Sequence, residues 1–327
     1  MTIRERTVAV VGCGLAGMRA AERLQAAGWQ VTLFDKSAGT GGRMASSRIG
    51  EASADLGAPG IQTEEMGFAQ WLEALGAVSW SPGRANFALE SLKADPVWVG
   101  VPRSSAVTRA LVGGAQLRTQ TRVGVVWPDR EGVLLRDVEG EALGHFDAVV
   151  IATPAPQAVP LLDAVHRFQQ RAENVETAPI WSVLLELPEP LTALARFHWL
   201  EGEHPVLARA VRDSAKPGRQ DGEVWMLQAS EAWSELHVDD DPASVGEALI
   251  EAFGSVLGVA VHPRHQWVHR WLYGRSQPEP GKPASLWDAD SGIGVCGDWL
   301  TGGDAQGAWE SANHLVDRML EPDIKVA

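Results

Sequence analysis

Cysteine and long apolar runs are scarce in this chain of 327 residues. The two cysteines, Cys13 and Cys296, lie far apart and neither belongs to a Cys-x-x-Cys pair, which excludes a disulfide framework and a thiolate zinc site. No apolar run approaches the roughly 18 residues of a membrane-spanning helix, and no signal-peptide pattern precedes the first apolar strand. We therefore expect a cytoplasmic protein with no metal site and no membrane partner.

Positive charge and tyrosine are also in short supply. Lysine and arginine number 28 against 42 acidic residues, a net charge of −14, which argues against nucleic acid as a partner. Apolar residues make up 45% of the chain, enough at this length to bury a sizeable core in two domains, or in one domain with an insertion. A single tyrosine, Tyr273, stands beside fourteen tryptophans, which raises the question whether tryptophan forms the aromatic wall of a binding pocket.

A strand, a glycine-rich turn, a helix and a second strand follow one another in the first 35 residues. The turn reads Gly12-Cys13-Gly14-Leu15-Ala16-Gly17, and the second strand ends at Asp35. In such a unit Gly12 permits the tight turn, Gly14 lets the backbone approach a pyrophosphate, and Gly17 lets the helix pack closely. The helix N-terminus presents free N–H groups to the phosphates, and the acid can accept from ribose hydroxyls. The pattern predicts a dinucleotide site.

A second glycine pair with a cation follows at once. Lys36 comes directly after the acid, and Gly41-Gly42-Arg43-Met44 supplies flexible backbone and a guanidinium beside the same pyrophosphate. Alone, this segment would be more typical of a solvated surface loop. Together with the first motif it favours FAD over NAD as the dinucleotide.

These motifs resemble those of the flavin-containing amine oxidase superfamily, which has the glutathione reductase-type FAD fold. Later segments match in the same order: Asp55-Leu56-Gly57-Ala58, a strand that ends at Thr153-Pro154, Gly297-Asp298, and Gly307-Ala308 at the start of the last helix, whose amides face the flavin in this family. The resemblance implies non-covalent FAD held by the following residues, Val123 through its backbone: Gly12, Gly14, Leu15, Ala16, Gly17, Asp35, Lys36, Gly42, Arg43, Met44, Asp55, Gly57, Ala58, Val123, Thr153, Gly297, Asp298, Gly307 and Ala308.

Within that superfamily the chain is most similar to the bacterial renalases, for example over residues 34–37, 151–157 and 269–273. The resemblance implies an FAD-dependent oxidase that takes a hydride from 2- or 6-dihydro isomers of NAD(P)H, with O2 as oxidant and H2O2 as product. One departure concerns the substrate. After Asp-x-Gly-Ala the renalases usually continue with glutamine and two aromatics, where this chain has Pro59-Gly60-Ile61-Gln62. Aromatic side chains expected near the substrate are therefore missing.

The order of elements predicts an α/β fold with a Rossmann-type FAD-binding domain around a parallel sheet. A second, α+β substrate domain is expected on a mostly antiparallel sheet with helices. We assign residues 1–58, 105–157 and 287–327 to the FAD-binding domain, and residues 59–104 and 158–286 to the substrate domain.

Two local predictions complete the assignment of elements. Residues 116–126 and 132–138 alternate like strands of a small antiparallel layer, and residues 242–257 have the apolar periodicity of a helix.

No catalytic residue follows from the pattern, because oxidation by a flavin requires positioning of the substrate more than a protein base. His269, Trp271 and Tyr273 are candidates on one strand, with cross-strand packing as an equally favoured alternative. Three tryptophans have two interpretations, either filling the core or lining the substrate pocket: Trp98, Trp181 and Trp225.

Local charge gives a further clue to the substrate. Arg209, Arg212, Lys216 and Arg219 oppose only Asp213 within eleven residues of an acidic chain. Such a stretch is suited to the phosphates of a dinucleotide, although the Lys-Pro-Gly sequence within it is typical of a solvated turn. We take Arg209 and Arg212 as candidate substrate contacts.

Three functions remain open at this point. The first is oxidation of dihydronicotinamide dinucleotides. The second is oxidation or dehydrogenation of a small amine, which would need an apolar or aromatic slot beside the flavin. The third is a non-catalytic flavoprotein that uses FAD as a structural or binding element.

Overall fold

The computed structural model describes residues 5–321, so the outermost ends of the predicted FAD-binding domain, residues 1–4 and 322–327, lie outside the described residues. The strands, in chain order, are β1 (Thr7–Val11), β2 (Gln30–Phe34), β3 (Ser46–Ile49), β4 (Ala52–Asp55), β5 (Ala77–Trp80), β6 (Arg84–Ala85), β7 (Val97–Gly100), β8 (Gln116–Arg118), β9 (Val123–Pro128), β10 (Val133–Asp137), β11 (Ala142–Phe146), β12 (Ala148–Ile151), β13 (Glu176–Leu187), β14 (Trp199–Glu201), β15 (Leu207–Arg212), β16 (Glu223–Ala229), β17 (His265–Gln277), β18 (Leu286–Asp288) and β19 (Ile293–Val295). The α-helices are α1 (Leu15–Ala26), α2 (Met66–Ala74), α3 (Ser105–Ala110), α4 (Ala155–Ala158), α5 (His166–Glu173), α6 (Glu231–Leu236), α7 (Pro242–Leu257) and α8 (Ala305–Leu320).

The first compact unit comprises the described parts of Met1–Gly42, Thr108–Glu176 and Ser276–Ala327. Its six-stranded sheet has the order β18-β19-β12-β1-β2-β8, with only the β18–β19 pair antiparallel. Strands β1 and β12 are almost wholly apolar because the sheet is covered on both faces. Helices α1 and α8 pack together in this unit, and the three-stranded sheet β9-β10-β11 contributes to a shared apolar core.

One strand of this unit differs from its predicted place. Residues 116–118 pair in parallel with β2, with Leu117 opposite Leu33, and so extend the large sheet. The small antiparallel layer begins at Val123 and gains a third strand, β11. The alternation of apolar and polar residues could not distinguish the two sheets, because strands of either sheet can show it.

The second compact unit comprises Arg43–Val107 and Thr177–Arg275. Its six-stranded sheet has the order β17-β13-β16-β15-β14-β6. One face packs on α7, which forms as predicted from Pro242 to Leu257 between an Asp241 cap and a left-handed Gly258. The opposite face carries a separate apolar cluster that includes Trp199, Val211 and Met226.

The boundaries between the units differ from the predicted domains in four segments, of which the shortest, residues 105–107, belongs to the second unit. Residues 43–58 belong to the second unit because the β3–β4 hairpin and Leu56 pack into the cluster around Trp199. Residues 158–176 and 276–286 belong to the first unit, where α5 buries Phe168 in the core of the parallel sheet. No helix within residues 5–321 combines the length and apolarity that crossing a membrane requires.

Candidate functional site

The glycine turn between β1 and α1 is closely packed at two of its glycines and open at the third. Gly12 has a φ of +102°, and a Cβ there would lie 2.7 Å from the carbonyl oxygen of Ala152. A Cβ on Gly17 would lie 1.9 Å from the carbonyl oxygen of Gly12. At Gly14 no protein atom lies within 4 Å of the Cβ position. The backbone at Gly14 can therefore be approached closely by a ligand.

The N-terminus of α1 faces the same turn and has no side-chain cap. Its first amides, at Leu15 and Ala16, have no intrahelical acceptor and are suited to a phosphate. Asp35 is fixed beside them, because its Oδ2 accepts from the Cys13 N–H at 2.7 Å and its Oδ1 accepts from the Ser37 N–H at 2.7 Å. Each carboxylate oxygen keeps a second lone pair for ribose hydroxyls.

Thr153 follows the end of β12, next to Gly12. Its hydroxyl is buried and has no hydrogen-bond partner, while its carbonyl oxygen accepts from Trp299 Nε1 at 3.1 Å. A buried polar group without a partner points to a polar ligand atom. Together with the open Gly14 and the uncapped helix, it makes this turn fit the pyrophosphate and ribose of FAD. Trp299 is itself fully buried and fixes the turn rather than offering an aromatic surface.

Some of the remaining predicted FAD contacts of the first unit are buried, and others are exposed. Gly297 lies at the end of β19, where its N–H donates to Ser311 Oγ at 3.0 Å, and Asp298 is buried beside it. Val123 is buried in the core next to Phe34, while Lys36 and Gly42 are exposed. The Lys36 side chain is nonetheless partly shielded from solvent, and this partial burial lowers its pKa; the Arg122 charge adds to the effect, and Asp35 opposes it.

The last helix corrects the prediction for Gly307 and Ala308. Helix α8 begins at Ala305, two residues earlier than expected, with Asp304 as its cap. The N–H of Gly307 donates to Asp304 Oδ1 at 2.7 Å, and that of Ala308 donates to the Asp304 carbonyl at 3.0 Å. Both amides are therefore satisfied within the helix and are not free to donate to a cofactor.

Two predicted FAD segments meet in the second unit. The Ala58 N–H donates to the Arg43 carbonyl at 2.8 Å, which extends the β3–β4 hairpin towards the Gly-Gly-Arg segment. Gly57 allows this approach, because a Cβ there would lie 2.0 Å from the Arg43 carbonyl oxygen. Met44 is buried beneath the hairpin. The structure therefore brings Arg43, Gly57 and Ala58 together.

Asp55 does not belong to that group, and its assignment to FAD is corrected. Its Oδ2 accepts from Lys216 Nζ at 2.8 Å and from Arg219 Nη2 at 2.6 Å. Ser104 donates its N–H to Oδ1 at 2.8 Å and its hydroxyl to Oδ2 at 2.9 Å. Asp213 shares both cations, at 2.5 Å from Lys216 Nζ and 3.2 Å from Arg219 Nε. The fully buried Asp55 thus anchors the hairpin within a cluster of two cations and two anions and cannot touch a cofactor.

The charges in this cluster depend on one another. Burial raises the pKa of Asp55, but Lys216 and Arg219, with the hydrogen bonds they and Ser104 donate, hold it well below its usual range. Burial raises the pKa of Asp213, and the charge of Asp55 raises it further. We therefore regard Asp55 as the permanent anion of the cluster.

The packing around Gly60 leaves no room for one of the two aromatics expected after Asp-x-Gly-Ala. Ile61 and Trp98 exchange two backbone hydrogen bonds, of 2.9 and 2.8 Å, and this draws Gly60 against β7. A Cβ on Gly60 would lie 2.8 Å from Val97 Cγ2. An aromatic side chain cannot occupy that position, whereas Trp98 is half-buried and stays a candidate substrate contact.

Two of the other tryptophans are core residues, which corrects their assignment to the substrate. Trp181 is 2% exposed and donates from Nε1 to the His237 carbonyl at 3.0 Å. Trp225 is fully buried, with its ring 5.3 Å from that of Phe253 on α7. Both pack between the sheet and α7 and have no surface left for a ligand.

The basic residues between positions 209 and 219 do not form one site. Lys216 and Arg219 are neutralised in the buried cluster around Asp55, and Arg212 Nη2 lies 2.5 Å from the buried Glu223. The charge of Arg212 is therefore already matched, which removes the reason for assigning it to the substrate. Arg209 lies on the opposite face of β15, where its guanidinium forms no ion pair with a carboxylate of residues 5–321. Only Arg209 stays a candidate from this stretch.

The candidates on β17 form a packed pair. The rings of His269 and Trp271 are 4.3 Å apart in an edge-on arrangement, as expected for side chains on one face of a strand. Trp271 Nε1 donates to the Leu56 carbonyl at 3.2 Å and so holds the segment that precedes Gly57. Burial lowers the pKa of His269, which keeps the imidazole neutral. Tyr273 is half-buried farther along the strand.

A row of polar side chains crosses the sheet of the second unit. In the strand register, Glu201 on β14 lies opposite Arg209 on β15. Arg209 lies opposite Gln228 on β16, and Gln228 lies opposite Ser182 on β13. By strand alternation these four residues, the polar row, lie on the face opposite α7. Gln228 Nε2 donates to the Gly57 carbonyl at 2.8 Å. The row therefore adjoins Gly57 and Ala58, the segment predicted to bind FAD.

Sequence reasoning missed three members of the polar row. Ser182 and Gln228 each lie between two apolar neighbours in their strands, and Glu201 follows Leu200 at the end of its strand. Their positions could have indicated a role. In a strand, alternate side chains face the same side of the sheet, and these three polar residues occupy positions of the alternation at which an apolar, buried side chain is expected.

Comparison with known proteins agrees with this architecture. Residues 10–73 match the NAD(P)-binding Rossmann-like domain, and residues 90–320 match the flavin containing amine oxidoreductase family. A proposed protoporphyrinogen oxidase from Exiguobacterium sp. 255-15 has a TM-score of 0.75 at 12% identity, covering 97% of this chain and 99% of that one. Cyclohexylamine oxidase from Brevibacterium oxydans IH-35A has a TM-score of 0.72 at 11% identity, covering 96% and 99%.

The same fold also occurs outside the oxidases. A CLA-producing fatty acid isomerase from P. acnes has a TM-score of 0.73 at 9% identity, covering 98% of this chain and all of that one. At such identities the likeness to solved structures shows the fold alone, while the family match covers most of the chain. The predicted superfamily, its Rossmann-type fold and its FAD cofactor are confirmed. The chain belongs to the flavin containing amine oxidoreductase family and is an FAD-dependent oxidoreductase.

Proposed function

We propose that this oxidoreductase oxidises the 2- or 6-dihydro isomers of NAD(P)H, with O2 as the final acceptor and H2O2 as the product. The proposal follows the resemblance to the bacterial renalases. The observation that supports it is the polar row, which places a neutral amide at Gln228 and an unpaired guanidinium at Arg209 beside the segment assigned to FAD.

Gln228 is the member of the row best placed to orient a nicotinamide. Its amide nitrogen is held by the Gly57 carbonyl at 2.8 Å, which leaves the amide oxygen to accept from the carboxamide of a substrate. Because Gln228 is anchored to the FAD segment itself, a ring held by its side chain would have a fixed distance to that segment.

The charge of the row is less suited to an amine. Glu201 is its carboxylate, and both oxygens are engaged, Oε1 by Arg84 Nη1 at 2.7 Å and Oε2 by Trp199 Nε1 at 2.8 Å. A protonated amine would meet the Arg209 guanidinium without a free carboxylate in the row to balance it. A substrate with a neutral ring and an anionic tail suits these residues better.

The residues described above support the following division of roles. Bound FAD supplies a two-electron acceptor for the hydride. With FAD bound, the uncapped start of α1 and the open Gly14 would hold the pyrophosphate, and Asp35 would orient the ribose. Gln228 and Arg209 orient the substrate. A dihydropyridine releases no proton together with its hydride. The neutral His269 is therefore not needed as a base, and its proposed role is limited to packing in the wall of the substrate pocket.

Anaerobic rapid mixing of the oxidised holoenzyme with each dihydro isomer tests the proposal. Rapid loss of the yellow colour is expected with 2- or 6-dihydro-NAD(P) and not with small amines. Gln228→Leu should raise the substrate concentration needed for half-maximal bleaching by about tenfold, the effect of one lost hydrogen bond in a buried site. Gln266→Leu, at an exposed glutamine of the same unit, is the matched control. Bleaching by amines alone would contradict the proposal.

A further inference from the structure

Two guanidinium groups lie close to one buried indole in the second unit. The Cζ of Arg84 is 4.6 Å from the ring centroid of Trp199, and the Cζ of Arg209 is 5.9 Å from it. The strands explain this arrangement, because Trp199 pairs with Arg84 on β6, and Glu201, two residues later on β14, pairs with Arg209 on β15. We call Arg84, Trp199 and Arg209 the arginine–tryptophan cluster.

The cluster has more hydrogen-bond donors than the chain satisfies. Arg84 is almost fully buried and donates from Nη1 to Glu201, but its Nε and Nη2 are buried and have no partner. The Nε of Arg209 is also buried without a partner, and the Arg209 guanidinium forms no ion pair with a carboxylate of residues 5–321. Stacking on an indole does not satisfy N–H groups, which lie in the plane of the guanidinium. Buried donors in this state are destabilising unless a ligand accepts from them.

The charges around Arg209 also favour an anionic ligand. Arg209 interacts electrostatically with two further guanidinium groups, Arg84 and Arg275, and with one carboxylate, Glu201. Burial lowers the pKa of Arg209, and the Arg275 charge adds to this effect. The opposite face of β15 shows the contrast, since Arg212 there is matched by Glu223 at 2.5 Å. The chain has therefore neutralised one of these two neighbouring arginines and left the other with an excess of positive charge.

We infer that Arg209, together with the arginine–tryptophan cluster behind it and with Arg275, binds an oxyanion of the substrate, either a carboxylate or a phosphate. The planar fork of a guanidinium matches two oxygens of such a group, and stacking on Trp199 fixes the orientation of the fork. The inference rests on the proposed function in one respect, namely that the second unit receives the substrate. It adds the place at which a negative group of that substrate is recognised, namely the Arg209 guanidinium.

Calorimetric titration of the oxidised holoenzyme with inorganic phosphate, pyrophosphate and acetate tests the inference without turnover. At least one of these anions should bind to the wild type, and Arg209→Gln should weaken that binding by about tenfold or more, because a charge-assisted pair is lost. Arg209→Lys should give an intermediate affinity, since the charge stays while the fork is lost. Arg196→Gln removes an exposed arginine of the same unit and should leave the affinity unchanged.

Each outcome decides a separate point. Preference for phosphate or pyrophosphate would indicate a nucleotide-like substrate, and preference for acetate a carboxylic acid; both support the site. Anion binding that Arg209→Gln and Arg209→Lys leave at the wild-type affinity, with FAD content and melting temperature preserved, overturns it. So does a wild type that binds none of the three anions. Arg209-dependent binding without bleaching by dihydronicotinamides would leave the site standing and remove only the proposed substrate.

Discussion

At the scale of single residues, Asp55 shows how one carboxylate can fix a functional segment without touching a ligand. Its two oxygens accept from Lys216, Arg219 and Ser104, which lie 49 to 164 positions away in the chain. Gly57 and Ala58 follow within three residues, so the position of the FAD segment depends on this buried cluster.

Removing the charge of Asp55 should therefore destabilise the protein. We expect Asp55→Asn to lower the free energy of unfolding by about 3–5 kcal/mol, because Lys216 and Arg219 would lose a buried counter-charge. Urea unfolding measures the change. Asp95→Asn, at an exposed acid that pairs with the exposed Lys93, should change stability by less than about 1 kcal/mol. Equal effects of the two substitutions would refute the anchoring role.

His269 gives a pH dependence whose sign follows from its surroundings. Burial lowers the pKa of His269 in the folded protein, whereas an unfolded histidine titrates near a pKa of about 6.5. The unfolded state then binds more protons, so this contribution to stability is present above about pH 6.5 and is lost as pH falls through the folded pKa. His269→Gln should flatten the decline of unfolding free energy between roughly pH 7 and 5, while exposed His262→Gln should not. An unaltered slope in His269→Gln would contradict the assignment.

At the scale of elements, the β1–turn–α1 unit combines a packing glycine with a ligand-facing glycine. Gly17→Ala would place a methyl group 1.9 Å from the Gly12 carbonyl oxygen and should disrupt the turn, with loss of both stability and FAD. Gly14→Ala meets no protein atom within 4 Å, so the apoprotein should keep its melting temperature while FAD binds at least about tenfold more weakly.

The two glycine substitutions are separated by measuring apoprotein melting and FAD affinity in parallel. Gly114→Ala is the control, because its methyl group would lie 3.7 Å from the nearest side-chain atom, in ordinary contact. If Gly14→Ala bound FAD as tightly as the wild type, the open space at Gly14 would not be the pyrophosphate site.

Elements defined by local patterns could be predicted from the sequence. The turn at Gly12 to Gly17 and the helix from Pro242 to Leu257 form where glycine spacing and apolar periodicity place them. Pairings between distant segments could not be predicted, such as the parallel partner of residues 116–118 or the partners of Asp55. Nothing in the local sequence distinguishes a carboxylate that meets FAD from one that meets a lysine 161 residues away.

At the scale of the whole molecule, the net charge of −14 coexists with an unneutralised arginine in the second unit. Most of the basic residues near Arg209 are matched by acids, so the excess of positive charge is confined to a small set of side chains. The composition argues against nucleic acid as a partner, but only the pairing of individual charges indicates where an anionic substrate could bind.

Both units carry part of the proposed chemistry. The first supplies the glycine turn that fits FAD, and the second supplies the polar row and the arginine–tryptophan cluster. The family match establishes the flavin chemistry, while the choice of substrate depends on the second unit.

The most direct test of the whole account is the anaerobic reduction of the purified yellow holoenzyme by single substrates in a rapid-mixing spectrometer. The account predicts fast bleaching by 2- or 6-dihydro-NAD(P), with one H2O2 formed per substrate when air is admitted. Fast bleaching by small amines, together with no response to either dihydronicotinamide isomer, would contradict it.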